Sequence, residues 1–327
     1  MNQKIYDVAV IGGGPVGIFA AYYSAMRSLK SVLIESMPAL GGQPTNLYAQ
    51  KKILDVPAVF GIRGSDLTKH LTNTNPKFNY DEKLNTTVNS FEKDDDYYRI
   101  STNSSDIFAK AIIIATGNGP FKPRKLACKY DQSLEGHQLN YFVNNISSYK
   151  DKDVLVAGGG DSAVDWALEI SKIAHSTAIL HRRNQFRALE SSVSALNKSN
   201  INVITPDIIK GVDKIDNGKI KVTYKMVKND DIDSIIVDKL LVNYGMTSDS
   251  RLLRNWGLKL HGPFISVDSE MHTNLEHVYG VGDVVDYPGK QRLIALGFAE
   301  APIAVSTAIN ELYPDKANFG HSSSLLN

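Results

Sequence analysis

The chain has 327 residues, 43 % hydrophobic and 22 % charged, and its 36 basic side chains nearly cancel 35 acidic ones for a net charge of +1. That length exceeds one ordinary core and predicts two domains, while the charge balance argues against a nucleic-acid binder. Cys128 is the sole cysteine, which excludes an intrachain disulfide, a CxxC redox pair and any zinc site built on several thiolates.

The only apolar run near the start, residues 8–11, passes straight into glycines. Neither a signal peptide nor a spanning helix is readable there, so a cytoplasmic location with no membrane partner is expected. Residues 6–11 read as a buried strand, Gly12-Gly13-Gly14-Pro15-Val16-Gly17 as a turn, and the Ala-rich stretch after it as a helix ending near Arg27, before a second strand at 31–35. This is a β-turn-α-β unit of about thirty residues. Gly12 permits the tight turn, Gly14 lets the backbone approach a pyrophosphate, and Gly17 lets the helix sit close on the strand. The phosphate charge then meets the helix amino terminus. Glu35 stands 18 residues after Gly17, at the end of the second strand. A carboxylate there accepts hydrogen bonds from both hydroxyls of an adenosine ribose and repels a 2′-phosphate; a merely solvated strand-end acid is the alternative. Short β-rich pieces at 86–92, 97–102 and 107–108 suggest an antiparallel meander, followed by an apolar strand at 111–115 that ends in Ala115-Thr116-Gly117.

The pattern then repeats. A strand at 153–157 leads into Gly158-Gly159-Gly160-Asp161-Ser162-Ala163, a helix runs towards Ile173, and a strand follows at 177–181. In place of Glu35 this unit has His181-Arg182-Arg183, with Arg187 four residues further. Guanidinium groups hold phosphate bidentately and stay charged, which suits the 2′-phosphate of NADPH; a solvated basic turn is the alternative. Candidate NADPH contacts are therefore Gly158, Gly160, Asp161, Ser162, Ala163, His181, Arg182, Arg183 and Arg187, with Asp161 and Asp165 reading as caps or polar-face residues rather than catalysts. Further β-rich stretches lie at 202–204, 220–224 and 235–243. Beyond Gly245 a strand at 277–281, then Gly282-Asp283, then a helix over about 301–312 would complete the first sheet. The expected fold is thus α/β: two Rossmann-like dinucleotide-binding domains, each a parallel sheet with helices plus a β-meander. Residues 117–245 form the NADPH domain, inserted into a domain made of 1–116 and 246–327, with hinges near Gly117 and Gly245. Eight histidines stand without HExxH spacing and no serine sits in a nucleophile elbow, so metal and hydrolytic chemistry are not indicated.

Together these motifs resemble the two-dinucleotide-binding-domain flavoproteins, and within them the thioredoxin-reductase-like ferredoxin-NADP reductases. The resemblance spans essentially the whole chain. It is closest at Gly41-Gly42-Gln43, Leu47-Tyr48, residues 117–125, residues 158–168, His181-Arg182-Arg183 and the tail His321-Ser322-Ser323-Ser324-Leu325. It implies FAD contacts from Gly12, Gly14, Gly17, Glu35, Gln43, Tyr48, Val88, Phe121, Asp283 and Ser323. Tyr48 would stack on one flavin face and His321 would cover the other, contributed across a homodimer; a disordered tail is the alternative. The helix entered through Gly297-Phe298-Ala299-Glu300-Ala301-Pro302 would point its amino terminus at the pyrimidine edge of the reduced flavin.

Thioredoxin reductases share the pattern but need a CxxC pair, which this chain lacks. The resemblance implies hydride transfer from NADPH to the flavin N5 without a protein acid or base. Single electrons then pass to or from ferredoxin or flavodoxin. Two other readings stay open: an NADPH-dependent reductase of quinones, ferric chelates or oxygen, and a flavin-bound interaction protein that senses redox state.

Overall fold

The computed structural model describes residues 4–73, 76–119, 122–227, 231–247 and 250–315. The chain divides into two compact units, one of Met1–Pro120 with Ser248–Asn327 and one of Phe121–Thr247.

In the first unit, strand β1 (Ile5–Ile11) leads through the glycine turn into helix α1 (Pro15–Met26) and strand β2 (Ser31–Ile34). Val8, Ala9 and Val10 are fully buried because both faces of β1 are covered, as a central parallel strand requires. Burying each of the larger side chains is worth about 1.5–3 kcal/mol. Strand β3 (Ile107–Ile114) lies parallel to β1 on the side away from β2, with Val10 facing Ile113 on one side and Leu33 on the other. The 107–108 and 111–115 segments, expected as separate strands, are this one strand. Its first half pairs antiparallel with Tyr97–Thr102, and its second half pairs parallel with Val278–Gly280. The meander therefore continues the main sheet rather than standing beside it.

The long helix Ile294–Leu312 packs beside α1, with Phe298 edge-on to Phe19 at 5.5 Å. It begins about seven residues before the expected start, and Pro302 lies inside it. The apolar residues 294–298 extend the helix toward its amino terminus. Pro302 removes the N–H that would bond the Phe298 carbonyl, a cost of about 3 kcal/mol, which burial of Ala301, Ala304, Val305, Ala308 and Ile309 offsets.

The second unit repeats the scheme with β4 (Asp153–Ala157), α2 (Asp161–Ile170) and β5 (Ser176–Leu180). Its parallel sheet runs Leu139–Asn140, Lys239–Val242, β4, β5, Asn202–Ile204. A separate antiparallel sheet of Asp207–Lys214, Ile220–Met226 and Ile232–Val237 packs on it. The segment expected as one strand at 235–243 is two strands in two sheets, and the strand Asp207–Lys214 was not foreseen. Among the described residues no helix is long and apolar enough to cross a membrane.

A histidine ties the long helix to the first sheet. His272 directs Nε2 at Glu311 Oε1 (2.6 Å) and Nδ1 at Asp268 Oδ2 (2.9 Å), with Glu270 at 3.9 Å. Glu311 also accepts from Tyr279 (2.5 Å) and His277 (2.9 Å). With both nitrogens bonded to carboxylates, the protonated His272 ring has no lone pair for a metal ion. Burial opposes its charge, but the hydrogen bonds to Glu311 and Asp268 outweigh burial and raise its pKa above the ordinary histidine value. A raised folded-state pKa stabilises the fold fully below the unfolded value near 6.5 and loses that stabilisation as pH rises through the folded value. Urea unfolding at pH 6 and pH 8.5 should therefore show a fall in stability that His272→Gln lacks, by about 1 kcal/mol or less for so accessible a network. Identical pH slopes for the two proteins would refute this assignment.

Candidate functional site

The first glycine turn is shaped by backbone contact. Gly12 has φ +111°, and a Cβ on it would lie 2.5 Å from the Ala115 carbonyl oxygen. A Cβ on Gly17 would lie 1.8 Å from the Gly12 carbonyl oxygen, so α1 can approach its strand only with glycine there. Gly14, by contrast, has nothing within 4 Å of its Cβ position. The one open flank of the turn is thus the flank assigned to a pyrophosphate.

Four distant segments meet at this turn. Gly41 donates its N–H to the Gly13 carbonyl (2.8 Å), and a Cβ on Gly42 would touch Gly14 Cα at 2.8 Å. A Cβ on Gly117 would lie 3.8 Å from Gln43 Nε2, while Gly282 and Gly297 both pack on Val16. Glu35 is buried, 8 % exposed, and its Oε2 accepts the Gly13 N–H at 2.6 Å. Its Oε1 accepts from Met37 N–H (2.7 Å) and Ser36 Oγ (3.1 Å). A carboxylate has about four lone-pair directions, so one remains for a ribose hydroxyl, and the weak Ser36 bond can yield a second. Asp283 is half-buried; burial raises its carboxyl pKa, and the Lys290 and Arg292 cations pull against that rise. Tyr48 packs against Ile53, Val56 and Leu67. Burial and then the Asp283 carboxylate push its phenol well above the ordinary value, which places the two side chains within electrostatic reach of each other. Val88 is a core residue, 4 % exposed, at the start of Val88–Asp94.

The second turn reproduces the first. A Cβ on Gly158 would meet the Asn243 carbonyl oxygen at 2.4 Å, and one on Gly160 has only the Arg187 carbonyl oxygen near it, at 3.8 Å. Ala163 takes the place of Gly17 and is fully buried. The side chain after the second strand again lies on the middle glycine: Glu35 against Gly13, and the His181 ring against Gly159 at 2.3 Å from its Cβ position. His181 stacks on Phe186, and burial, reinforced by Arg182 and Arg183, lowers its pKa. It is therefore neutral, and the positive charge comes from the exposed Arg182, Arg183 and Arg187. Among the described residues the buried His181 Nε2 and Asn243 Oδ1 have no hydrogen-bond partner.

The loop carrying these arginines is latched to the turn. Arg187 N–H donates to the Gly159 carbonyl (2.7 Å), Leu189 N–H to Asp161 Oδ1 (2.9 Å), and Ser192 Oγ to Asp165 Oδ1 (3.2 Å). Asp161 thus holds the arginine loop, while Ser162 is exposed at the start of α2. Phe121, Ser323 and His321 lie outside the described residues.

The family model for pyridine nucleotide-disulphide oxidoreductases matches residues 6–309. The chain belongs to that family. It is 46 % identical to ferredoxin–NADP reductase 2 of Latilactobacillus sakei, over 99 % of both chains. It is 44 % identical to a ferredoxin–NADP reductase of Leuconostoc mesenteroides, over 99 % of this chain and 97 % of the relative. The fold is also similar to that of Lactococcus lactis thioredoxin reductase, with a TM-score of 0.82 and 28 % identity over 94 % of this chain and 99 % of the other.

Cys128 is the only cysteine; it is half-buried against the second unit's core, and burial raises its thiol pKa. It has neither a partner thiol nor the thiolate character of a redox cysteine.

Sequence reasoning missed the group beneath Gly282-Asp283. Lys290, Tyr287 and Glu300 meet there, and Glu300 accepts the Gly282 N–H at 2.7 Å. No spacing rule links a loop lysine to a carboxylate on the following helix. The helix start, foreseen through residues 297–302, is formed instead by residues 294–297.

The glycine contacts make a paired expectation for the FAD-free chain. Gly17→Ala should cost more than about 2 kcal/mol, because a backbone oxygen occupies the new methyl's space. Gly14→Ala, at φ −72° with open space, should change stability by less than about 0.5 kcal/mol. Thermal unfolding of the two variants checks this, and equal losses would contradict it.

Proposed function

We propose that the chain is an FAD-dependent NADPH oxidoreductase of the ferredoxin–NADP reductase kind, exchanging electrons with ferredoxin or flavodoxin. The observation that carries the reading is the lone thiol: a fold similar to thioredoxin reductase holds no second cysteine, so electrons must leave the flavin without a disulfide relay. The full-length relatives named ferredoxin–NADP reductase support the same acceptor class.

Bound FAD would accept a hydride and release electrons one at a time. The chain's own residues then bind and orient. Gly12, Gly14, Gly17 and Glu35 would take the pyrophosphate and adenosine ribose. Gln43, Tyr48 and Asp283 would take the flavin half, with Val88, Phe121 and Ser323 as further contacts. Tyr48, whose phenol is held protonated by burial, positions and does not donate a proton. Gly158, Gly160, Ser162 and Ala163 would receive the NADPH pyrophosphate. Arg182, Arg183 and Arg187 would clamp its 2′-phosphate over the neutral His181 ring, with Asp161 holding their loop. No side chain is required as acid or base. By the same resemblance the enzyme is a cytoplasmic homodimer, with His321 closing over the flavin.

Anaerobic stopped-flow mixing tests the reading. NADPH should bleach a flavin spectrum, and reoxidation by ferredoxin or flavodoxin should outrun reoxidation by quinones, ferric chelates or oxygen. Faster reaction with the small acceptors would replace this function with a general diaphorase. A flavin that NADPH does not bleach would favour a redox-sensing interaction protein.

A further inference from the structure

Lys290 Nζ and Glu300 Oε1 are 2.5 Å apart, and both side chains are 1 % exposed. Tyr287 OH donates to the same Oε1 at 2.6 Å, and the other oxygen, Oε2, accepts the Gly282 N–H at 2.7 Å. The lysine backbone N–H donates to the Tyr287 carbonyl at 3.0 Å, and its ammonium lies 5.6 Å from the Tyr287 ring centre. All three groups facing Glu300 are therefore donors.

A buried ion pair is an expensive way to fill a core, because desolvation consumes most of the attraction and an apolar pair of similar volume is often as stable or more so. Its distinctive product here is a fixed acceptor for one backbone N–H. Gly282 has φ +79° and packs on Val16, so it joins the first glycine turn to the residue that follows it, Asp283. Without Glu300 that buried N–H loses its partner and the turn loses its anchor.

We propose that Glu300 is a positioning residue for FAD, holding the Gly282-Asp283 turn in its binding form, and that Lys290 and Tyr287 keep its carboxylate aimed at the Gly282 N–H. The proposal rests on the flavin reading above. It predicts a specific pattern, because a glutamine has one accepting and one donating end. In Glu300→Gln the amide NH2 must face either the Gly282 N–H or the Lys290 ammonium. Removing the ammonium as well leaves only Tyr287 at that end, and a hydroxyl can accept.

FAD titration of the full chain, freed of flavin, with circular dichroism as a check on folding, tests this. Glu300→Gln should weaken FAD binding by about tenfold or more. Lys290→Met with Glu300→Gln should return affinity to within about threefold of wild type. Lys290→Met with Glu300→Leu should fold, since an apolar pair replaces a buried ionic one, yet bind FAD about tenfold or more weakly because Gly282 has no acceptor. Wild-type affinity in that folded leucine variant would overturn the proposal. If that variant does not fold, the glutamine pair decides: rescue by Lys290→Met supports the positioning role, and no rescue overturns it. A wild-type chain that takes up no FAD would instead overturn the flavin reading, and this inference with it.

Discussion

A single carbon atom added to Gly17 would sit 1.8 Å from the Gly12 carbonyl oxygen, and the first unit is organised around keeping that space clear. Because α1 lies so close to its strand, its amino terminus and the Gly14 backbone flank the same open space. Gly42 can then pack on Gly14, and Gly282 and Gly297 on Val16, while Gly41 bonds the Gly13 carbonyl. The apolar sheet makes this possible: β1 is covered on both faces, so its end presents the turn at a fixed height above the core. The second unit solves the same problem with Gly158 against the Asn243 carbonyl and Ala163 where the first has Gly17.

What distinguishes the two turns is the side chain laid over the middle glycine. In the first, Glu35 spends its acceptors on Gly13, Ser36 and Met37, keeping a negative group beside the turn. In the second, a neutral imidazole occupies that place and three arginines carry the charge on a loop bound back to the turn through Gly159, Asp161 and Asp165. The distinction is electrostatic: a carboxylate repels a 2′-phosphate, whereas guanidinium groups form charge-assisted bonds to it. One backbone scheme can in this way serve two different dinucleotides.

Much of this was legible in the residues. The strands at 153–157, 97–102 and 202–204 match to the residue, since turn-forming residues close off each short β-rich segment. The equivalence of Glu35 and His181 follows from spacing alone, and the structure lays both on their glycines. Errors arose where one segment serves two environments. In β3, Lys110 interrupts an apolar run whose first half has one buried face and whose second half has two. Between Ile232–Val237 and Lys239–Val242 only Asp238 marks the passage from one sheet to another; its carboxylate and N–H bind Asp153 and turn the chain. Asp207–Lys214 was obscured by the register shift between Ile209 and Gly211, which breaks the alternation that marks a strand. The Lys290–Glu300 pair was invisible because its partners come from a loop and a helix that only the tertiary fold brings together.

We propose that the second turn selects its dinucleotide through Arg182 and Arg183, independently of Glu35 at the first. The direct measurement is coenzyme and flavin affinity in one variant, Arg182→Ala with Arg183→Ala. NADPH should bind about tenfold or more weakly, each lost phosphate contact being worth roughly 1–3 kcal/mol, while NADH and FAD affinities stay within about twofold of wild type. Equal losses for NADPH and NADH would contradict the account.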